Sequence, residues 1–508
     1  MSSTLGLSIL VSYVVALVLI GGYGARVTRT TREDYFMAGR KLGSIAIFMT
    51  LFASNITAFT IIGHAGFAYQ VGYGAYGYVI GWSIFITPFT YYLVGYRSWL
   101  LGKQYGYATQ PQVFGGILKS KAVSLVFLFL LLYYTLPYLV VSIIGGGLAF
   151  STVSHGVVPY WLAALIIVGV SLVYTVPAGL RGTVWTDVFQ GVLFIVVAVF
   201  LLLALGEAFG GFAAITAQIT QDNPNLLQRS LSPQLAPVNW FSFSFSNSIA
   251  VVVFPQMFTR ILAARSSHNL KRVSLFYPAA LAFIFGISTL FGVWGSAAIP
   301  GLAGKEADNI VPLLISEFLP TVWMALGLVV ILAIVKSSID SQLLSVAHLV
   351  TDDFFSRYFR ISSKGAVLWG RVILVLFSMV AFFIALIRPA AILAIATFAF
   401  SGFSVMLPVM VGVLYWPRAN KQGACAALIL PAVMLHLWYL EILPAWTTFG
   451  LMPVVPAFFL AVVTLVAVSY MTPASSPEVQ DETFGLFRRV FESKQPSHQA
   501  LPQVPKQS

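Results

Sequence analysis

Charge is what this chain has least of. Only 9% of its residues are Asp, Glu, Lys or Arg, against about 25% in a soluble domain. Acid is the scarcer sign, with 16 Asp and Glu against 28 Lys and Arg, a formal net charge of +12. Cysteine is nearly absent. The single Cys425 excludes an intramolecular disulfide and any multi-cysteine metal site. It falls in an apolar stretch, where a thiol packs as a small hydrophobe. There is no phosphate-binding loop and no large soluble segment to carry one, so nucleotide hydrolysis is not expected. No basic residue precedes the long first apolar run, so no cleavable signal peptide is expected either.

What the chain does have is apolar length. It is 59% hydrophobic, with mean hydropathy +0.89. One large soluble core is excluded, because its apolar runs repeatedly reach the roughly 20 residues that cross a bilayer. About thirteen such runs follow one another. Their approximate limits are 5–24, 44–69, 75–96, 123–148, 158–177, 184–207, 239–262, 274–298, 317–347, 367–388, 390–415, 422–440 and 451–471. The chain therefore reads as an all-α integral membrane protein.

The basic excess invites a nucleic-acid reading, but its placement argues otherwise. With the N-terminus outside, all of the 28 Lys and Arg fall in odd-numbered connections or the tail except Arg229, Lys305, Arg388 and Lys336. Cytoplasmic loops carry such an excess. The expected topology is N-terminus outside and C-terminus inside, and the charge is a topology signal with no nucleic acid implied. The tail from 472 holds one amphipathic piece, 484–491, which reads either as a helix along the inner membrane surface or as part of a disordered tail.

Two short polar runs interrupt membrane-length stretches: Phe52-Ala53-Ser54-Asn55-Ile56-Thr57 and Lys336-Ser337-Ser338-Ile339-Asp340-Ser341-Gln342. Polar groups are costly in the bilayer and mark ion or solute paths. The seventh run is polar as well, with Ser242, Ser244, Ser246, Asn247 and Ser248 ahead of Pro255-Gln256. The second and seventh runs lie five spans apart and cross in opposite directions. Interrupted helices at matching positions in two oppositely oriented halves point to an inverted-repeat transporter. The expected divisions are 1–43 for the first helix and basic loop, 44–207 and 208–415 for the two five-helix repeats, 416–471 for two added helices, and 472–508 for a cytoplasmic tail.

A broken helix leaves carbonyls that must bond water, protein or an ion. A small dehydrated cation such as sodium suits carbonyls near Ala53 and Ile56 together with the Ser337 and Ser338 hydroxyls. The plain alternative is that the serines bond the preceding turn or a neighbouring helix. Two other pattern matches fail on context. Gly72-Tyr73-Gly74-Ala75-Tyr76-Gly77 fits the dinucleotide-binding glycine pattern but follows no strand. Asn55-Ile56-Thr57 fits a glycosylation acceptor but lies within the membrane.

Several stretches together resemble the sodium:solute symporter family, over roughly residues 5 to 470. They are Ala53-Ser54-Asn55-Ile56-Thr57, the run Ala178 to Gln190 with its Trp185-Thr186-Asp187 core, Pro255-Gln256 with Arg260 and Ala263-Ala264, and Ser337-Ser338-Ile339-Asp340-Ser341-Gln342 followed by Thr351-Asp352-Asp353. The resemblance implies thirteen transmembrane helices in a leucine-transporter-like, five-plus-five inverted repeat with broken helices. It implies a sodium site made by carbonyls of Ala53, Ile56 and a residue near Ile334, with the hydroxyls of Ser337 and Ser338. Asn55 falls where proline-type members carry aspartate and sugar-type members asparagine.

One departure stands out: Lys336 directly precedes the serine pair, where a small or apolar residue is expected. Three readings stay open. Lys336 points away and pairs with Asp340 one turn on, it receives a carboxylate solute, or it carries a proton in place of sodium. Candidate solute contacts are Asn55, Thr60, His64, Phe254, Gln256 and Thr259. His64 taken alone also reads as a hydrogen-bonded packing residue. Asp187 and Arg181 read as an inner-side pair, a gate or a loop staple.

The expected function is sodium-coupled symport of a small polar solute by alternating access in the cell inner (plasma) membrane, with a lean to a monocarboxylate or amino acid. Sodium is the coupling ion, a proton the alternative, and no organic cofactor is called for. A transporter-like sensor would need a signalling domain, and the tail is too short for one. A membrane enzyme would need clustered catalytic groups, and His64, Lys336 and Asp340 are scattered. The partners are the solute and the lipid bilayer.

Overall fold

The computed structural model describes residues 4–29, 31–228, 232–359 and 361–492. Arg229, Arg360 and residues 493–508, which entered the charge and tail readings, lie outside the described residues. Among those described there is no strand, only one isolated bridge between Leu42 and Ala264.

Ten helices are long and apolar enough to cross a membrane, and two further helix pairs are bent at a short break, giving up to 12 crossings. In chain order they are α1 (Thr4–Val27), α2 and α3 (Ser44–Asn55 and Phe59–Val71), α4 (Gly74–Tyr105), α5 (Lys121–Val153) and α6 (Tyr160–Ala208). After them come α7 and α8 (Pro237–Val253 and Pro255–Ala263), α9 (Ser267–Ala298), α10 (Thr321–Tyr358) and α11 (Ser363–Ile387). The series closes with α12 (Ile392–Tyr415), α13 (Lys421–Tyr439) and α14 (Val454–Met471). α6 is one run of 49 residues, yet Gly179 within it has φ 58 and ψ −157, far from helical. A side chain there would press its Cβ to 2.5 Å from the Tyr35 carbonyl oxygen, so only glycine allows both the turn and the close approach.

Both breaks have local causes. α2 stops because Ile56 is extended, with φ −73 and ψ 117. The Thr57 hydroxyl then accepts the Phe59 N–H at 3.1 Å, capping the start of α3. The pair bends by 57°. In the second pair, Phe254 precedes Pro255, and proline forces its predecessor out of the helical region. Phe254 accordingly has ψ 129, Pro255 opens α8 at the favoured first position, and the bend is 47°.

The polar run in α10 behaves differently. The sequence reads as a break, but the helix is continuous from Thr321 to Leu349. Its hydroxyls and charges find partners on neighbouring helices, so the backbone has no need to open. α10 is the central element: 83% of its most apolar window is buried, and α1, α2, α5, α6, α8 and α11 all pack against it.

The amphipathic tail piece packs on protein. The short helix Leu486–Glu492 folds back so that the Arg97 guanidinium of α4 lies 3.6 Å over the Tyr415 ring and 4.5 Å over the Phe487 ring. Lys119 holds Glu478 and Glu482 at 3.2 and 3.1 Å. Phe487 is buried by this docking.

Candidate functional site

At the first break the Thr57 N–H turns to the Thr60 hydroxyl, at 3.4 Å, and the Thr60 N–H to the Thr57 carbonyl, at 2.9 Å. The Ala53 and Ile56 carbonyls thereby lose the donors that a continuous helix would supply four residues on. Next to Ala53, the Ser54 hydroxyl lies 2.8 Å from that of Ser341, one turn of α10 beyond Ser337. This contact fixes the end of α2 against the serine run.

Four helices meet in one buried network. Ser337 Oγ donates to Asp187 Oδ1 at 2.6 Å, and the Thr50 hydroxyl donates to Asp187 Oδ2. Arg260 closes the network from α8. Its Nη2 donates to Asp187 Oδ2 at 3.1 Å and to Ser341 Oγ at 2.6 Å, its Nε to Thr50 Oγ1 at 2.7 Å, and its Nη1 to the Gln256 carbonyl at 3.0 Å. Arg260 and Asp187 are 1% and 0% exposed, so the pair is withdrawn from water and the Asp187 charge is offset inside the protein. Ser338 points elsewhere: its Oγ donates to the Val335 carbonyl at 2.8 Å and lies 2.9 Å from Ser142 Oγ of α5. Ile334 lies within the unbroken helix.

These donors are hard oxygens: hydroxyls, carbonyls and one carboxylate. Such a set fits a small alkali cation and not a soft metal. No group of three or more His, Cys, Asp or Glu that could hold a metal occurs among the described residues.

Lys336 faces away from the network. Its Nζ donates to Ser171 Oγ at 2.6 Å and lies 4.0 Å from Asp340 Oδ1 and 4.9 Å from the Tyr174 ring. Asp187 and Arg181 do not pair with each other. Residues six apart on a helix face different sides, so Asp187 turns inward to Arg260 while Arg181 bonds Asp34 of the connection after α1.

The solute candidates divide. Phe254 sits in an aromatic cluster, 5.0 Å from Tyr138, 5.4 Å from Phe400 and 4.9 Å from Phe403. Phe59, at the start of α3, joins it through Phe400 at 5.2 Å. The two breaks thus meet across aromatic rings. Gln256 is fully buried with neither amide atom hydrogen-bonded. Asn55 is buried at the end of α2. Thr60 serves the break itself, and Thr259 is buried beside Arg260. His64 stands one ring further out: its Nε2 lies 2.9 Å from Thr289 Oγ1 of α9 and its ring is edge-on to Phe285, which lies 5.9 Å from Phe59.

Sequence reasoning passed over Thr50, Ser142, Ser171 and Tyr174, which carry no local signal. Arg260 had one. A lone arginine in an interrupted membrane run requires a buried acid, and Asp187 and Asp340 were the candidates at membrane depth.

Two bent helix pairs, around a buried oxygen network on a continuous central helix, define a secondary transporter. Comparison places it among known proteins. A model of the sodium:solute symporter family matches residues 35–430. The chain is 27% identical over 492 residues to the sodium/proline symporter of Haemophilus influenzae, covering 91% of this chain and 93% of that protein. It is 26% identical over 481 residues to the sodium/pantothenate symporter of Escherichia coli, covering 89% and 93%. Among solved structures, a substrate-bound, outward-open Na+-coupled sialic acid symporter superposes with a TM-score of 0.76 at 19% identity, covering 93% of this chain and 99% of that one. A nucleobase-cation-symport-1 family transporter superposes at 0.58 with 14% identity, covering 89% and 98%. The protein belongs to the sodium:solute symporter family. It is a multi-pass inner-membrane transporter with sodium as its coupling ion, not an enzyme.

Proposed function

We propose that the chain carries a small polar solute inward with sodium, through thirteen spans with the N-terminus outside. The count rests on Gly179, which splits α6 into the two spans that the sequence places at 158–177 and 184–207. The orientation rests on the Lys and Arg placement. The two bent pairs at equivalent positions support the five-plus-five inverted repeat.

The observation that carries the mechanism is the contact of Ser337 with Asp187 beside the Ala53–Ile56 break. Sodium would take the Ala53, Ile56 and Ile334 carbonyls and the Ser337 and Ser338 hydroxyls, Ser338 turning from the Val335 carbonyl and Ser142 to reach it. Arg260 offsets the Asp187 charge, so the carboxylate brings an oxygen beside that place and not a net negative charge. Bound there, the ion ties α2 to α10. The solute sits beside it, against the rings and amides where the breaks meet: Asn55, Phe254 and Gln256, with Thr60 and Thr259 shaping the backbone around them. Ion and solute then raise each other's affinity, which coupling requires. The relatives named for proline and pantothenate support a solute with one carboxylate, a monocarboxylate or amino acid. Arg181 with Asp34 closes one end of the path as a gate. Lys336 lies with Asp340, which favours the first of its three readings over a carboxylate contact or a proton carrier.

The test is uptake of a panel of amino acids and monocarboxylates into proteoliposomes, driven by sodium or by a matched potassium gradient. Sodium-driven uptake of at least one solute is expected, with its loss in Ser337→Ala–Ser338→Ala. Intact sodium-stimulated uptake in that variant would reject the serine-pair site. Uptake driven only by a pH gradient would restore the proton reading.

A further inference from the structure

The buried centre holds two acids and two bases, and they pair separately. Asp187 takes Arg260 from α8. Asp340 takes Lys336 from its own helix. All four are 3% exposed or less, so formal charge is balanced before any sodium arrives.

The surroundings of the Lys336 ammonium are those of a cation site. On one side is the Ser171 hydroxyl oxygen at 2.6 Å. On another is Asp340 Oδ1 at 4.0 Å, a buried oxygen with no hydrogen-bond partner. The third side is the Tyr174 ring, 4.9 Å from Nζ, whose face attracts a cation. The Tyr174 hydroxyl donates to the other Asp340 oxygen and holds the carboxylate in place. Ser171 and Tyr174 are one turn apart on α6, so a single helix face supplies both.

Lys336 does not crowd the proposed sodium. Adjacent helix residues point about 100° apart. Ser337 turns to Asp187 and Ser338 to Ser142, whereas Lys336 turns to Ser171. α10 thus presents two cation places on different faces, one at the Ser337 hydroxyl beside Asp187 and one already filled by its own side chain.

We propose that Lys336 is a built-in counter-cation filling a second monovalent-cation place formed by Asp340, Ser171 and Tyr174, so that the native chain binds one sodium where the chain without this lysine would bind two. A buried carboxylate at membrane depth requires a counter-charge. Lysine supplies it covalently, at an effective concentration that no free ion matches. The count of one rests on the serine-pair reading above. The difference between the native chain and the variant does not.

The test needs no solute. Radioactive sodium bound at saturation is counted on the purified full-length protein in detergent, with potassium exchanged for sodium as the blank. One ion per chain is expected for the native protein, two for Lys336→Ala, and one again for Lys336→Ala–Asp340→Asn. Equal counts in the native protein and Lys336→Ala overturn the proposal, as does a native count of two. A native count of zero with one ion in Lys336→Ala sinks the serine-pair site and leaves this proposal standing. Where Lys336→Ala does not fold, Lys336→Met carries the same comparison. Failure of both to fold in sodium overturns the proposal, because a sodium-filled place would keep Asp340 paired.

Discussion

Arg260→Met isolates the charge that the fold places beside Asp187. The guanidinium makes four hydrogen bonds, to Asp187, Ser341, Thr50 and the Gln256 carbonyl. Methionine keeps much of the volume and removes every donor. Asp187, 0% exposed, then retains only the Thr50 and Ser337 hydroxyls. Breaking a buried pair by removing one partner costs about 3–5 kcal/mol, whereas replacing both partners with uncharged groups is often close to neutral. Arg260→Met is therefore expected to lose about 3–5 kcal/mol, and Arg260→Met–Asp187→Asn to recover more than half of it. Reversible unfolding in mixed micelles, on the native protein, both single variants and the double variant, gives the interaction energy by a double-mutant cycle. An interaction energy near zero, with the double variant as unstable as Arg260→Met, would refute the argument. Arg260 would then matter through its packing and its other contacts, not as the counter-charge to Asp187.

Two further outcomes follow from contacts outside the central network. Asp308, in the connection between α9 and α10, accepts the Ile392 N–H at 3.0 Å, and burial pushes its carboxyl up to about 6 despite that bond and the nearby Arg388. An acid whose folded pKa exceeds its unfolded value contributes stability at low pH that is lost as pH rises through about 6; the melting temperature should therefore rise from pH ~7 to pH ~5, Asp308→Asn should flatten that rise, and an unchanged slope in the variant would count against the assignment. Arg97→Ala removes the guanidinium between Tyr415 and Phe487; contacts of this kind are worth about 0.5–2 kcal/mol, so limited proteolysis should cut the segment around Leu486–Glu492 several-fold faster, and equal rates would show that the Lys119 ion pairs suffice to dock it.

Much of the architecture was legible because the bilayer imposes simple demands. Span length and the break at Phe254-Pro255 are local or compositional, and the structure has bent helices at both expected places. Misreadings arose where polarity was taken for backbone disruption. The run Lys336 to Gln342 is as polar as the run at Ala53, yet α10 stays helical because partners reach it from α2, α5, α6 and α8. The amphipathic piece at 484–491 likewise had an apolar face suited to lipid, but Arg97, Tyr96 and Tyr415 offered that face a protein surface.

By itself the sequence determined that this is a many-span membrane protein, that two of its helices are interrupted, and that serines and acids stand at membrane depth. Hydropathy, proline geometry and the cost of buried polarity act within a few residues or over whole segments, so they can be read along the chain. Tertiary structure alone decided who pairs with whom: Asp187 with Arg260 and not Arg181, Lys336 with Ser171 and Asp340, His64 with Thr289. Such choices depend on which helix faces are brought within hydrogen-bond reach. In a low-dielectric interior an unpaired charge or hydroxyl is costly, and the partners found here lie across separations in sequence that no local pattern encodes.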